Sequence, residues 1–182
     1  MTYSPSTLWL TGLSAAGKTT LAQALADALA TAGVACQILD GDVVRQQLSR
    51  DLGFSRKDRS ENIRRVAHRC RQLNDAGTWA IAALISPYRD DRELARQTVG
   101  ESRFFEVYLA TSLTVCEARD PKGLYRRARA GEIADFTGIS DYYEAPRNPD
   151  LLFDTSLQPT DECVTATLDL LALSHVPAQG GD

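Results

Sequence analysis

Residues 12–19 read Gly12, Leu13, Ser14, Ala15, Ala16, Gly17, Lys18 and Thr19, the spacing G-x-x-x-x-G-K-T. A short apolar run, Leu8, Trp9 and Leu10, precedes them, and Leu21, Ala24, Leu25, Ala28 and Leu29 follow at helical spacing. The stretch therefore sits where a strand hands over to a helix, the place where curled backbone amides and the positive end of a helix hold a polyphosphate. In that geometry Lys18 bridges the outer phosphates and Thr19 offers its hydroxyl to a magnesium ion, while Thr20 adds a polar group in the first helical turn. The competing reading is a glycine-rich turn with a surface lysine; the strand before it and the helix after it favour the phosphate loop. Ala15 stands where many such loops carry a third glycine. Alanine at positive φ would be strained by about 1 kcal/mol, so ordinary φ is expected there.

The rest of the chain alternates strand and helix patterns. Strands are predicted at residues 34–39, 79–85, 104–109 and 151–154, and helices at 17–32, 43–49, 56–76, 90–99, 112–119 and 160–173, with Ser55 as an N-cap. This gives one domain over residues 1–173, an α/β three-layer P-loop NTPase fold whose mostly parallel five-stranded sheet carries helices on both faces. Residues 174–182 have the composition of a disordered tail. Asp40-Gly41-Asp42 and Ser86-Pro87-Tyr88-Arg89 close two strands on the carboxyl edge, where open α/β sheets bind ligands. Pro121 and Gly123 interrupt the basic stretch 120–129 and predict a mobile lid rather than a continuous helix.

Composition removes other classes. The net charge of -4 argues against a generic nucleic-acid binder. Yet residues 45–71 hold nine Lys or Arg against three acidic residues, either a solvated helix face or a pocket for a small anion. Cys36, Cys70, Cys116 and Cys163 lie far apart in apolar-periodic stretches, without C-x-x-C spacing, and read as buried free thiols. Residues 1–6 are polar and contain a proline, and no apolar run reaches membrane-spanning length, so neither a signal peptide nor a membrane partner is expected and the protein is placed in the cytoplasm.

Taken together, residues 12–20, 39–42, 51–54 running into 58–65, 85–89, 120–125 and 136–139 resemble the adenylyl-sulfate kinase (APS kinase) family. The phosphate loop is generic to many kinases; residues 51–65 and 86–89 are far more particular to this family. The resemblance implies transfer of the γ-phosphoryl of ATP, with Mg2+, to the 3′-hydroxyl of adenosine 5′-phosphosulfate (APS), in sulfate assimilation, by a homodimer. It implies that Phe54 and Phe136 sandwich the acceptor adenine. Arg45, Arg59 and Asn62 would hold its ribose and phosphosulfate, and the Ile85 backbone would line the same pocket. Asp42 is then the group that orients the acceptor hydroxyl and Asp40 the one that holds magnesium through water, although these two roles are interchangeable on the sequence. Lys122 would add positive charge on closure, and Arg119 would stack on the ATP adenine. Ser86 is marked as a possible phosphorylated intermediate, but no histidine lies near it in sequence to activate it, so direct in-line transfer is favoured. Residues 140–143 depart somewhat from the family wording.

Duller readings exist for several of these residues. Phe54 and Phe136 fit a core equally well by composition, and Arg59 and Asn62, three apart on one helix face, fit a solvated surface. Arg64, Arg65 and Arg69 read as structural or surface charge. The rival functions are another small-molecule P-loop kinase, acting on a nucleoside monophosphate, gluconate or shikimate, and a nucleotide-binding module without turnover. The absence of an Asn-Lys-x-Asp motif speaks against a GTPase.

Overall fold

The computed structural model describes residues 5–171. The strands are β1 (Thr7–Gly12), β2 (Cys36–Asp40), β3 (Trp79–Ala83), β4 (Phe104–Leu109) and β5 (Leu151–Phe153). They form one sheet in the order β2-β3-β1-β4-β5, with every pairing parallel rather than mostly so. Parallel sheets are covered on both faces, and β1, every residue of which is buried, reads accordingly as an apolar run. Its alternation divides the core. Leu8 and Leu10 point to one side with Ile81, Val107 and Leu109, and Trp9 to the other with Ala80, Ala82 and Phe104. Trp9 pairs in register with Ala82, so a large ring lies beside a small residue, and it meets Phe104 with ring centroids 5.5 Å apart.

The helices are α1 (Lys18–Thr31), α2 (Gly41–Gln47), α3 (Arg56–Asp75), α4 (Arg89–Val99), α5 (Leu113–Arg119), α6 (Leu124–Arg129) and α7 (Thr160–Leu170). α1 packs with α7 on the Leu8 side, where α5 and α6 add Cys116 and Tyr125; α2, α3 and α4 cover the Trp9 side. β1 connects back to β2 at one edge of the sheet, whereas its neighbour β3 connects across it to β4 on the other side, so connections leave in opposite directions at the carboxyl ends of β1 and β3. That is the crevice at which open α/β sheets bind ligands. Among the described residues no helix is long and apolar enough to cross a membrane.

Several boundaries differ from the sequence reading for identifiable reasons. α2 begins at Gly41 because the Asp40 carboxylate caps it, accepting the Asp42 amide at 3.0 Å. β2 starts at Cys36, and Cys36 is only half-buried, unlike the buried Cys70, Cys116 and Cys163; all four are free thiols. The stretch 120–129 is not simply a helix-poor lid. The Asp120 carboxylate accepts the amides of Tyr125 and Arg126, at 3.1 and 3.0 Å, and Gly123 in the left-handed region turns the chain into α6, which buries Tyr125. Pro121 and Gly123 thus shape a helix entry. Ala15 has φ +60°, against the expectation of ordinary φ; the loop needs left-handed backbone there and accepts the strain. The predicted tail and the last two residues of the predicted closing helix lie outside the described residues.

α3 carries much of the candidate site, and its start is well defined. The Ser55 Oγ accepts the Asp58 amide at 3.2 Å and donates to Asp58 Oδ2 at 2.8 Å. Ser55→Ala should therefore cost about 1 kcal/mol of stability and Ser55→Gly only a few tenths, read from denaturant midpoints. Equal stability of wild type and Ser55→Ala would remove this cap from the account.

Candidate active site

Along the carboxyl edge of the sheet runs one cavity of about 1130 Å³. At one end stands the loop between β1 and α1. Gly12 leaves the strand with φ +150°, and a Cβ there would meet the Leu109 carbonyl at 2.6 Å, so only glycine fits. Gly17, at φ +97°, is the N-cap of α1, which starts at Lys18 and aims its free amides into the loop. The Thr155 hydroxyl, just past β5, donates to the Ala16 carbonyl at 2.9 Å and fixes the loop from behind. The sequence reading missed Thr155, although the rule that singled out Asp40 and Ser86, polar residues where a strand ends at this edge, also picks it out.

The lysine of the loop is turned inward. Lys18 Nζ donates to the Gly12 and Leu13 carbonyls at 2.9 and 2.6 Å. Burial lowers its pKa to about 8, with Lys122 lowering it further and Cys116, Asp40 and Asp42 acting the other way. Thr19 Oγ1 donates to Asp40 Oδ2 at 2.7 Å, which puts a hydroxyl and a carboxylate oxygen side by side next to the loop. Such oxygens suit magnesium, which takes one or two protein carboxylates and keeps water and phosphate for its other positions. Among the described residues there is no cluster of three His, Cys, Asp or Glu, as a zinc cage would need. Asp42 instead pairs with Lys122 from the segment before α6. Both side chains are more than half exposed, so the pair is worth little and opens readily.

At the other end the cavity is lined by Phe54, Arg59, Asn62, Ile85, Ser86 and Phe136. The two aromatics differ sharply: Phe54 is 61% exposed and Phe136 7%, the latter in edge contact with Tyr125 at 5.1 Å. Arg45 lies over the Phe54 ring at 4.5 Å from its centroid. Arg45 Nη1 donates to the Leu52 and Gly53 carbonyls, and Arg59 spans the Phe54 and Asp135 carbonyls at 2.9 and 2.6 Å. Both guanidiniums therefore brace the aromatic loops in this state. Arg59 and Asn62 are 8% and 5% exposed, which removes the solvated-face reading. Asn62 Oδ1 and Thr137 Oγ1 are buried with no hydrogen-bond partner among the described residues, although such groups are nearly always satisfied. Both residues line the cavity. Arg64 and Arg65 instead pair with Glu61, and Arg65 also with Asp51.

Of the residues singled out in the sequence, Ser14, Ala15, Gly17, Lys18, Thr19, Thr20, Asp40, Asp42, Arg45, Phe54, Arg59, Asn62, Ile85, Ser86, Arg119, Lys122 and Phe136 all line this one cavity. Gly12, Leu13 and Ala16 do not; they form the loop's support. Arg119 donates to the Thr155 hydroxyl and carbonyl at 2.8 and 2.9 Å, beside Thr160 and Cys163, which also line the wall and escaped the sequence reading. Ser86 is 2% exposed; its Oγ accepts Trp9 Nε1 at 3.1 Å and lies 3.5 Å from the Leu84 carbonyl, with no carboxylate or imidazole bonded to it.

The inward lysine yields a pH prediction. With its pKa lowered to about 8, Lys18 is about half neutral at pH 8, and a polyphosphate selects the ammonium, so binding takes up protons. Titration calorimetry of a non-hydrolysable ATP analogue, in buffers of differing ionisation heat, should show uptake of about half a proton at pH 8, falling toward zero at pH 6 and absent in Lys18→Ala. No uptake at pH 8 in the wild type would contradict this picture of the loop.

Comparison with known proteins agrees with this geometry. The family model described as adenylylsulphate kinase matches residues 4–154. The chain is 52% identical over 177 residues to the adenylyl-sulfate kinase of Pseudomonas entomophila (strain L48), covering 97% of this chain and 85% of that one. It is 53% identical to the corresponding enzyme of Prochlorococcus marinus, covering 90% and 82% of the two chains. A solved structure of the Mycobacterium tuberculosis APS kinase, in complex with AMPPNP and APS, superposes with a TM-score of 0.89 at 44% identity, covering 93% of this chain and 98% of that one. On the strength of a profile that spans most of its length and of relatives about half identical to it over nine-tenths or more of the chain, this chain belongs to the adenylylsulphate kinase family.

Proposed function

We propose that this chain transfers the γ-phosphoryl of ATP directly to the 3′-hydroxyl of APS across the single cavity, giving 3′-phosphoadenosine 5′-phosphosulfate and ADP. The observation that carries the reading is the cavity's two-ended character. A phosphate loop stands at one end, and at the other an exposed aromatic ring, the buried Arg59 and Asn62, and Ser86 line the same space.

The donor end holds the triphosphate by loop amides, Lys18, Thr19 and Thr20, with Arg119 beside the base. Magnesium would sit against Thr19 and Asp40, where it would neutralise charge on the phosphate oxygens. The Thr19 contact favours Asp40 for this role. Asp42, facing Lys122 across the cavity mouth, is left for the acceptor hydroxyl. The arriving phosphates draw the Lys122 ammonium away, and the freed Asp42 carboxylate orients the 3′-hydroxyl and takes its proton as the new bond forms. At the acceptor end a purine covers the exposed Phe54 ring. Arg45 and Arg59, already cationic beside Phe54, supply the positive field that a phosphosulfate needs. Phosphoryl transfer asks for positioning and charge placement more than covalent help, and the site offers both.

A coupled assay of ADP release, run with APS, AMP, gluconate and shikimate in turn, tests the acceptor: turnover with APS alone is expected, and comparable turnover with another acceptor would overturn the reading. Phe54→Ala and Phe136→Ala address the acceptor end. Stacking on a base is worth ~1–3 kcal/mol, so the KM for APS should rise on the order of tenfold or more while that for ATP stays near wild type. Equal effects on both substrates would return the two rings to the core.

A further inference from the structure

Behind the acceptor wall, outside the cavity, lies a buried ion pair that substrate contacts leave unexplained. Arg92 of α4, 3% exposed, donates from Nε to Glu106 Oε1 of β4 at 2.7 Å, from Nη1 to the Ser86 carbonyl at 2.7 Å, and from Nη2 to the Glu144 carbonyl at 2.6 Å. A pair like this is poor evidence for stability, because desolvating two charges offsets their attraction and an apolar replacement is often as stable. Burial indeed pushes the Glu106 carboxyl above its usual range even though the Arg92 guanidinium works to lower it. What the pair does fix is the backbone at Ser86.

Ser86 has φ +40°, in the left-handed region that a residue with a Cβ avoids, and it precedes Pro87, which steers its neighbour toward extended backbone. Two penalties fall on one residue. Such a conformation persists only where the surroundings over-determine it. Several bonds do so here: Trp9 Nε1 donates to Ser86 Oγ at 3.1 Å, which itself reaches the Leu84 carbonyl at 3.5 Å, Thr11 Oγ1 donates to the Ile85 carbonyl at 2.8 Å and more weakly to the Ser86 carbonyl at 3.4 Å, and Arg92 makes the short bond to the Ser86 carbonyl at 2.7 Å. Arg92 also grips Glu144, whose amide donates to the Pro87 carbonyl at 2.8 Å and whose carboxylate accepts the Arg89 amide at 2.9 Å. One guanidinium thus ties the turn after β3 to the segment that follows the Phe136 loop, and Ile85, Ser86 and Pro87 all line the cavity.

We infer that Arg92, held by Glu106, is a positioning residue for the acceptor: through the Ser86 carbonyl it sets where Ile85, Ser86 and Pro87 stand in the acceptor wall. The inference rests on the proposed function in taking that wall as the acceptor's. Arg92→Lys keeps the charge but cannot span three acceptors in a fixed plane, and Glu106→Gln keeps an oxygen for Arg92 Nε while removing the counter-charge.

The test is steady-state kinetics of the full chain with ATP and APS varied separately, together with ATP-analogue binding without acceptor. In both variants the APS KM should rise about tenfold, with a fall in kcat, while ATP KM and analogue affinity stay within about twofold of wild type. An equal loss on the two substrates, or an unchanged APS KM, would overturn the inference. Should Arg92→Lys fail to fold, Glu106→Gln decides by the same split, since it preserves shape and one hydrogen bond. If the wild type used a different acceptor from the panel, the functional reading would fall, and the split read on that acceptor would still decide the role of Arg92.

Discussion

At the end of β1 the backbone of Gly12 lies so close to β4 that a Cβ would meet the Leu109 carbonyl at 2.6 Å. That contact forces the chain to turn there, and the loop that follows is held on its far side by Thr155, reaching from beyond β5 to the Ala16 carbonyl. Between these two fixed points the backbone takes left-handed geometry at Ala15 and Gly17, and α1 begins with its amides unpaired and aimed inward. The buried central strand sets where the loop stands. Because the sheet is parallel throughout, the ends of β2, β3 and β5 arrive at the same edge, and each contributes a polar residue: Asp40, Ser86 and Thr155.

The site satisfies its charges internally. Lys18 bonds two loop carbonyls, Lys122 meets Asp42, and Arg45 and Arg59 bond the carbonyls of the loops that carry the aromatics. These contacts are ones that phosphates and a purine nucleotide can replace or leave in place. In the proposed reaction, anion binding would exchange carbonyl partners for phosphate oxygens at Lys18, and the exposed Lys122–Asp42 pair would open at small cost.

Much of this was legible in the chain. The G-x-x-x-x-G-K-T spacing, the apolar runs at β1 and β3 and the helical pattern of α3 follow from periods of 2 and 3.6, which local sequence displays directly. The co-location of Lys18, Asp40 and Ser86 follows from the carboxyl-edge rule once the sheet is taken as parallel. Whether Arg59 and Asn62 were solvated was not legible, because their burial depends on the loops carrying Phe54 and Asp135 closing over α3. Nor was the left-handed Ala15, where loop geometry overrides the preference of the residue, or α6, whose start depends on the Asp120 carboxylate rather than on helix propensity. The Arg92–Glu106 pair joins consecutive elements, α4 and β4, yet nothing in the local pattern of either residue announces that the two are buried against each other.

The central claim is that the phosphoryl group crosses the cavity in a single step. Ser86 sits on the transfer edge but is committed elsewhere: its hydroxyl accepts the Trp9 indole, no base is bonded to it, and its backbone is strained into a wall position. A double displacement through Ser86 would give net retention at phosphorus, and a direct transfer gives inversion. The most direct measurement is therefore the stereochemical course of the reaction with ATP whose γ-phosphorus is made chiral by oxygen isotopes. Inversion in the 3′-phosphorylated product is the predicted result; retention would contradict it and make Ser86 a covalent participant.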